Sequence, residues 1–369
     1  MVLLIRCNSI SKDPRVKKYL DYLDANNIEY QVIGWDRNGE NLKYKNCIFF
    51  KKKSGYNVGG LKAAWNRILW MWFCLKHISK IKPAFIHGCD LDSAFPATIY
   101  KFLRNRKTKV LFDVFDWFSA TLYNQPKIIT SAFKRMESFT SKHSDHIIIC
   151  EKERLEQIPY DVSSKVDILP NIPMINDEKS FMYQDNSLIF HNDNLTLSYV
   201  GGLYNERFLD EILDIAEQGH INLLIAGYGD SRLEAKCKQL SALQNIRYFG
   251  GVGYEKGLHI SYNSDIVYAM YCKSNQNHIY AAPNKYYEAM LLGKPIITTK
   301  GTIVGDKVNA NNIGYAIDEN SKELLQLLKY LTNNKLEANK KGDIARMLWT
   351  TKYVSYTKDF LSTTYQAYL

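Results

Sequence analysis

The sequence predicts two α/β domains, each a parallel sheet covered by helices. Three observations carry that expectation. Short apolar strand-like runs alternate with helical or loop segments through the first half, the rhythm of a helix-covered parallel sheet. The rhythm breaks near Ile168-Leu169-Pro170-Asn171-Ile172-Pro173 and resumes at Leu195. A length of 369 residues suffices for two domains, each with its own core.

In the first half, Val2–Arg6 reads as a strand, and Pro14–Asn26 (PRVKKYLDYLDAN) as an amphipathic helix opened by proline. Glu29–Ile33, Ala84–His87, Lys109–Phe112 and His146–Cys150 are further strands. A polar stretch to about Asn194 reads as a linker or hinge. The second half then gives strands 195–200, 222–226, 246–249, 265–270 and 295–299, with helices 207–217, 231–243, 255–263 and 284–292. Residues 343–369 place aromatics and Leu at helical spacing. The expected division is a Rossmann-like domain over 1–172, a linker over 173–194, a second such domain over 195–342, and a final helix over 343–369. In such sheets ligands sit at the carboxyl ends of strands. With two facing sheets, the cleft between them becomes the expected site.

Composition narrows the class. The chain is 46% hydrophobic and 23% charged, with no apolar run long enough to span a membrane. It runs directly into a strand-like start without the pattern of a signal peptide. Seven cysteines without metal-type spacing read as reduced thiols of a cytoplasmic protein. Of the 48 Lys and Arg, 28 fall in residues 1–170 against 17 Asp and Glu, leaving 20 against 21 in the rest. A basic first half suits nucleic acid, anionic lipid or a phosphorylated substrate. No nucleic-acid recognition motif accompanies it.

The loop VGGLYNERF (200–208) follows a strand with two glycines, Gly201 and Gly202, which let backbone amides approach an anion; Arg207 lies within reach. A tight turn with a solvent-facing Arg reads the same way. AGYGDS (226–231), with Gly227, Tyr228 and Gly229, suits a phosphate or base edge but fits a simple turn equally well. Phe249-Gly250-Gly251-Val252 carries the same ambiguity. In PNKYYEAMLLGKPIITT (283–299), Pro283 opens a helix with Asn284 and Lys285 at its mouth and Glu288 one turn deeper. Such a carboxylate can accept two ribose hydroxyls. Its bland alternative is a carboxylate favoured by the helix dipole.

FIHGCDLDSAFPA (85–97) brings His87, Cys89, Asp90 and Asp92 just past a strand, with Asp113 and Asp116 past the next. A metal site is conceivable there, but no second Cys/His cluster supports it, and each Asp also fits a helix cap or turn. The stretch 51–83 is basic and aromatic. Leu61, Trp65, Ile68, Trp72 and Leu75 fall on one helical face, broadened by Trp70, Met71, Phe73 and Cys74. With Lys62, Arg67, Lys76 and Lys80, this suits an interfacial helix at an anionic membrane as well as a core helix with a basic outer face.

Four segments resemble GT-B glycosyltransferases, specifically family-4-like retaining enzymes of bacterial surface-polysaccharide synthesis. They are SKDPRVKKYLDYL (11–23), IHGCDLDSAFPA (86–97), YVGGLYNERF (199–208) and IYAAPNKYYEAMLLGKPII (279–297). The resemblance implies two Rossmann-like domains with parallel sheets facing across a cleft. It implies sugar transfer from a nucleotide-diphosphate donor to a polyprenyl-diphosphate-linked or other glycan, with no metal or other cofactor, by a protein on the inner face of the cell membrane. A nonhydrolysing nucleotide-sugar epimerase, or a catalytically silent GT-B partner subunit, is the alternative.

Carried over residue by residue, Glu288 matches the second glutamate of the family's Glu-x7-Glu motif, expected on the donor ribose. Arg207 matches the cation on the leaving diphosphate, joined by Lys285; Asp90 is the fourth expected catalytic residue. Gly201, Gly202, Gly227, Tyr228, Gly229, Val252, Tyr280, Pro283 and Asn284 are expected around the donor. Arg15, His87, Cys89 and Asp116 are expected on the acceptor side, and Trp65, Arg67, Trp70, Trp72 and Lys76 at the membrane. Trp349, Tyr353, Phe360 and Tyr365 would carry the final helix back onto the first domain. Three departures stand out: Tyr280 replaces the first glutamate, Gly202 an arginine, and Cys89 the second histidine of His-x-His.

Overall fold

Strands whose side chains are apolar on both faces form sheets covered on both sides, and the computed structural model of the chain contains two, both parallel throughout. It describes all residues except 9, 11–12, 40–45, 55–59, 123–124, 159–160 and 176, and the side chains of 60–64 and 121 also lie outside the described set. Ser11 and Lys12 of the first resemblance segment, and the Leu61 and Lys62 side chains of the aromatic stripe, are therefore outside the described residues. Two compact units divide the chain, Met1–Pro170 with Thr357–Leu369, and Asn171–Tyr356.

In the first unit the strands are β1 (Val2–Arg6), β2 (Tyr30–Trp35), β3 (Cys47–Phe50), β4 (Phe85–Cys89), β5 (Lys109–Val114), β6 (His146–Ile149) and β7 (Val166–Ile168), ordered β3-β2-β1-β4-β5-β6-β7. Helices α1 (Pro14–Ala25), α2 (Gly60–Ile81), α3 (Leu91–Leu103) and α4 (Lys127–His143) alternate with them. The Asp13 carboxylate caps α1 by accepting from the N–H groups of Arg15 and Val16, with Pro14 at its first position. Leu3, Ile5, Ile33, Ile86 and Val110 form one core face with Trp35, Trp70, Cys74 and Ile78.

In the second unit β8 (Thr196–Val200), β9 (Asn222–Ala226), β10 (Ile246–Tyr248), β11 (Ile266–Ala269), β12 (Ile296–Thr299) and β13 (Gly314–Ile317) are ordered β10-β9-β8-β11-β12-β13. Its helices are α5 (Leu209–Glu217), α6 (Ser231–Leu240), α7 (Tyr254–Tyr262), α8 (Asn284–Leu292), α9 (Ile303–Ala310), α10 (Ser321–Asn333) and α11 (Lys335–Leu348). Each sheet reverses its strand order once, at β1/β4 and at β8/β11, and loops beyond such a reversal form ligand-binding crevices.

Two segments depart from expectation. Residues 173–194 are not a free linker: Phe181 and Leu188 are buried in the second unit, and the His259 ring there bonds the Phe181 carbonyl at 2.9 Å and the Asp185 carboxylate at 3.1 Å. Nor does 343–369 act as one returning helix. Trp349 and Tyr353 complete the apolar surface of α8, with the Tyr353 ring 5.2 Å from Tyr287. From Thr357 onward the chain belongs to the first unit, where Tyr365 lies 4.9 Å from the Tyr19 ring. All seven cysteines are free thiols. Among the described residues, no helix is long and apolar enough to cross a membrane.

The α2 periodicity resolves into two faces. Trp70, Cys74 and Ile78 point into the core, whereas Trp65, Ile68 and Trp72 are 58%, 55% and 62% exposed. Trp70 therefore cannot meet a membrane: it stacks on Trp35 at 5.6 Å, and its indole N–H donates to the Asp92 carbonyl at 3.0 Å. Arg67 is also turned inward, to the Asp92 carboxylate at 3.5 Å and the Phe118 ring at 4.3 Å. Lys76 stays exposed, 5.7 Å from the Trp72 ring.

Candidate functional site

In the second unit the turn after β8 lies against the turn after β9. Gly201 N–H donates to the Ala226 carbonyl at 3.0 Å, and Leu203 N–H to the Tyr228 carbonyl at 3.1 Å. A Cβ on Gly227, at φ +148°, would stand 1.8 Å from the Gly201 carbonyl oxygen, and one on Gly229 would stand 2.4 Å from that of Leu203. Both glycines are thus demanded by this close backbone approach, a packing reason that the expectation of a phosphate loop did not contain.

A recess of about 280 Å³ opens beside this turn. It is lined by Val200 and Gly201, by Val252, Gly253, Tyr254, Gly257 and Leu258 around the start of α7, and by Asn284, Lys285 and Glu288 of α8. Neither α7 nor α8 has its first turn closed by a side-chain cap, so both present backbone N–H groups and the positive end of the helix dipole. That combination favours an anion. Of the expected donor residues, Gly201, Val252, Asn284, Lys285 and Glu288 meet in the recess. Gly202, Gly227, Tyr228, Gly229, Tyr280, Pro283 and Arg207 are not among its lining residues.

Glu288 is only 3% exposed, among the buried neighbours Tyr287, Ala289 and Leu291 of α8. Its Oε2 pairs with Lys285 Nζ at 2.5 Å, one helical turn away. Tyr254 reaches it from α7: burial of the phenol, with the Glu288 carboxylate adjacent, holds the Tyr254 hydroxyl well above the ordinary tyrosine range, although the ring as a whole is exposed. The carboxylate is therefore a paired anion beside an anion-favouring helix mouth.

Arg207 closes a short turn, Asn205–Arg207, beyond β8. Its guanidinium stacks on the Tyr271 ring at 4.4 Å, and its Nη1 is buried with no hydrogen-bond partner among the described residues. Tyr271 lies near both Arg207 and Glu288, whose charges act on its hydroxyl in opposite directions; burial, the larger cause, pushes it up to about 12. Tyr254 and Tyr271 were not anticipated from sequence.

The first unit gathers its charged residues at the strand ends differently from expectation. Arg15 is buried, with Nη2 and Nε on the Asp113 carboxylate at 2.7 and 3.3 Å and Nη1 on the Leu169 carbonyl at 2.7 Å. His87 is buried between the Tyr365 hydroxyl (Nδ1, 3.0 Å) and Asp113 (Nε2, 3.3 Å). Cys89 is buried as well, which pushes its thiol up. Arg15, His87 and Cys89 are thereby enclosed in the fold rather than presented to an acceptor. His87, Cys89 and Asp113 each offer one ligand atom within 4.8 Å of the others. Arg15 already claims the Asp113 carboxylate, however, which disfavours a cation there. Asp92, also weighed as a ligand, faces Arg67.

Asp90 and Asp116 follow the ends of β4 and β5. Asp90 precedes α3 at φ +65°, an uncommon backbone for a non-glycine residue. Its Oδ1 accepts the N–H groups of Phe115 at 2.9 Å and Asp116 at 3.3 Å, and its Oδ2 pairs with Arg6. Burial outweighs Arg6 and pushes the Asp90 carboxyl up to about 6. Asp116 is exposed and lies 3.2 Å from Arg154.

Residues 183–346 match the sequence model of the family described as glycosyl transferases group 1. No curated protein sequence matches the chain. Among solved structures, sucrose-phosphate synthase from Thermosynechococcus elongatus superposes with a TM-score of 0.75 at 13% identity, over 99% of this chain and 98% of that one. HepE of Anabaena in complex with UDP and glucose gives 0.70 at 12% identity, over 100% of both chains. WaaG, a glycosyltransferase involved in lipopolysaccharide biosynthesis, gives 0.68 at 14% identity, over 97% of this chain and 98% of that one. With a group 1 domain in its second unit and two Rossmann-like parallel sheets, the chain is a glycosyltransferase of GT-B fold.

Proposed function

We propose that the chain transfers a sugar from a nucleoside-diphosphate donor bound in the second unit to a lipid-linked glycan of a bacterial surface polysaccharide, with retention of configuration and without a metal. The observation that carries the donor reading is the recess itself: two uncapped helix N-termini, the Gly201 turn, Lys285, and the buried Glu288 carboxylate in one place. Glu288 accepts the ribose hydroxyls. Lys285 and Arg207 take up the negative charge of the departing diphosphate, where charge develops most as the bond breaks. The sugar C1–phosphate oxygen bond breaks as the C1–acceptor oxygen bond forms, and the acceptor proton passes to the departing phosphate oxygen. Asp90 and Asp116 lie on the acceptor side. A panel of UDP, GDP and ADP with their sugars tests this reading by thermal shift. One diphosphate is expected to raise the melting temperature, with the logarithm of its excess over Kd, and no shift with any of them would remove the donor site.

The acceptor reading rests on α2. Trp65, Ile68 and Trp72 form an exposed apolar stripe beside exposed Lys76 and Lys80, the amphipathic pairing that seats a helix in an anionic bilayer from the cytoplasmic side. Trp65→Ser with Trp72→Ser is expected to lower binding to phosphatidylglycerol-containing vesicles by on the order of tenfold or more in a sedimentation assay. Equal partition of the variant and the parent would rule out this face.

A further inference from the structure

One neighbouring segment, the end of β11 and the residues beyond it, holds the backbone around Arg207. The Tyr268 hydroxyl donates to the Phe208 carbonyl at 2.7 Å, and the Cys272 N–H to the Glu206 carbonyl at 2.9 Å. These bonds grip the backbone on either side of Arg207. Between them, the Tyr271 ring lies 4.4 Å from the guanidinium carbon. Tyr271 is itself immobilised: its N–H donates to Thr299 Oγ1 at 2.8 Å, and its side chain belongs to the core cluster that contains Tyr287 and Met290 of α8. A ring under a guanidinium attracts its charge without consuming its N–H donors, which lie in the guanidinium plane. The buried Nη1 of Arg207 has no partner among the described residues.

We infer that Tyr271 is a positioning residue, a shelf on which Arg207 is stacked so that its N–H donors remain available to the donor's diphosphate. The inference rests on the role proposed above for Arg207. The Tyr271 hydroxyl stays protonated throughout the neutral range, because burial pushes it up to about 12. The ring rather than proton transfer therefore carries the effect, and phenylalanine should replace it.

Calorimetric titration of the full chain with UDP and with UMP tests the inference, or with the guanosine or adenosine pair where the panel above selects that base. Tyr271→Leu is expected to weaken the diphosphate about tenfold while leaving the monophosphate unchanged. Tyr271→Phe is expected to restore the parent ratio. Tyr271→Leu combined with Arg207→Ala should bind the diphosphate no more weakly than Arg207→Ala alone. If Arg207→Ala lowers the diphosphate preference and Tyr271→Leu does not, the shelf is wrong while the role of Arg207 stands. An unchanged preference in Arg207→Ala would remove that role and the shelf with it. Equal weakening of both nucleotides by Tyr271→Leu, alongside a lower melting temperature, would reduce Tyr271 to core packing and overturn the inference.

Discussion

Glu288→Gln is expected to weaken nucleoside diphosphate binding by roughly 30- to 100-fold, read by calorimetry. The change is isosteric, so it removes charge rather than volume. Hydrogen bonds from neutral donors to a charged acceptor contribute about 1.5–3 kcal/mol each when formed, and a ribose offers two hydroxyls. The loss is partly offset because the parent must first give up the Lys285 contact at 2.5 Å. Lys285 is 22% exposed as a side chain and can find water instead, so the variant should keep its fold and melting temperature within a few degrees. A 2′,3′-dideoxyribose diphosphate, which lacks both hydroxyls, sharpens the result. It should bind the parent weakly and lose little further affinity in Glu288→Gln, because both changes delete the same contact. Parent-like affinity in a folded Glu288→Gln protein would leave the recess without its ribose anchor.

The contrast between the two units shows what the sequence could and could not disclose. Asn284, Lys285 and Glu288 were legible together because one short helix fixes their spacing, and Pro283 and Gly293 mark its ends. Tyr254 and Tyr271 come from other elements. Nothing local distinguishes them among 26 tyrosines, and only the β8/β11 neighbourhood brings them to Glu288 and Arg207. In the first unit, His87 and Cys89 follow the register of β4, so their place at the end of a strand was readable. Their enclosure was not, because Tyr19 and Arg15 of α1 and Tyr365 from the last turns supply it from far along the chain. The strands β3 and β7, four and three residues long, offer too little periodicity to stand out. On α2, spacing showed that Trp65, Ile68 and Trp72 share a face, but only packing of the opposite face showed which one meets solvent.

Asp113→Asn is expected to cost about 3–5 kcal/mol of stability at neutral pH, a large part of what a domain possesses. Asp113 is fully buried, and its carboxylate is the shared partner of the Arg15 fork and of His87 Nε2. Without the charge, Arg15 stays buried and loses the carboxylate that its Nη2 and Nε bond, keeping the neutral Leu169 carbonyl and Cys150 sulfur against its Nη1. Five of the six tryptophans lie in the first unit, so tryptophan fluorescence in a urea titration reports this loss. The pH dependence separates Asp113 from Asp90. Arg15 and His87 hold the Asp113 carboxyl well below its ordinary value of 3.8 against the opposing effect of burial. Its contribution is therefore present above pH 4 and fades as pH falls toward the folded value. Asp90 has the opposite sign. Burial raises its carboxyl to about 6, so its contribution is full below the unfolded value near 3.8 and is lost as pH rises through 6. The parent's urea midpoint should thus decline at both ends of this range for different reasons. Asp113→Asn should flatten the acid side below pH 4, and Asp90→Asn should flatten the slope between pH 4 and 6. An unfolding free energy for Asp113→Asn within about 0.5 kcal/mol of the parent at pH 7 would show that Arg15 draws its stability from other partners.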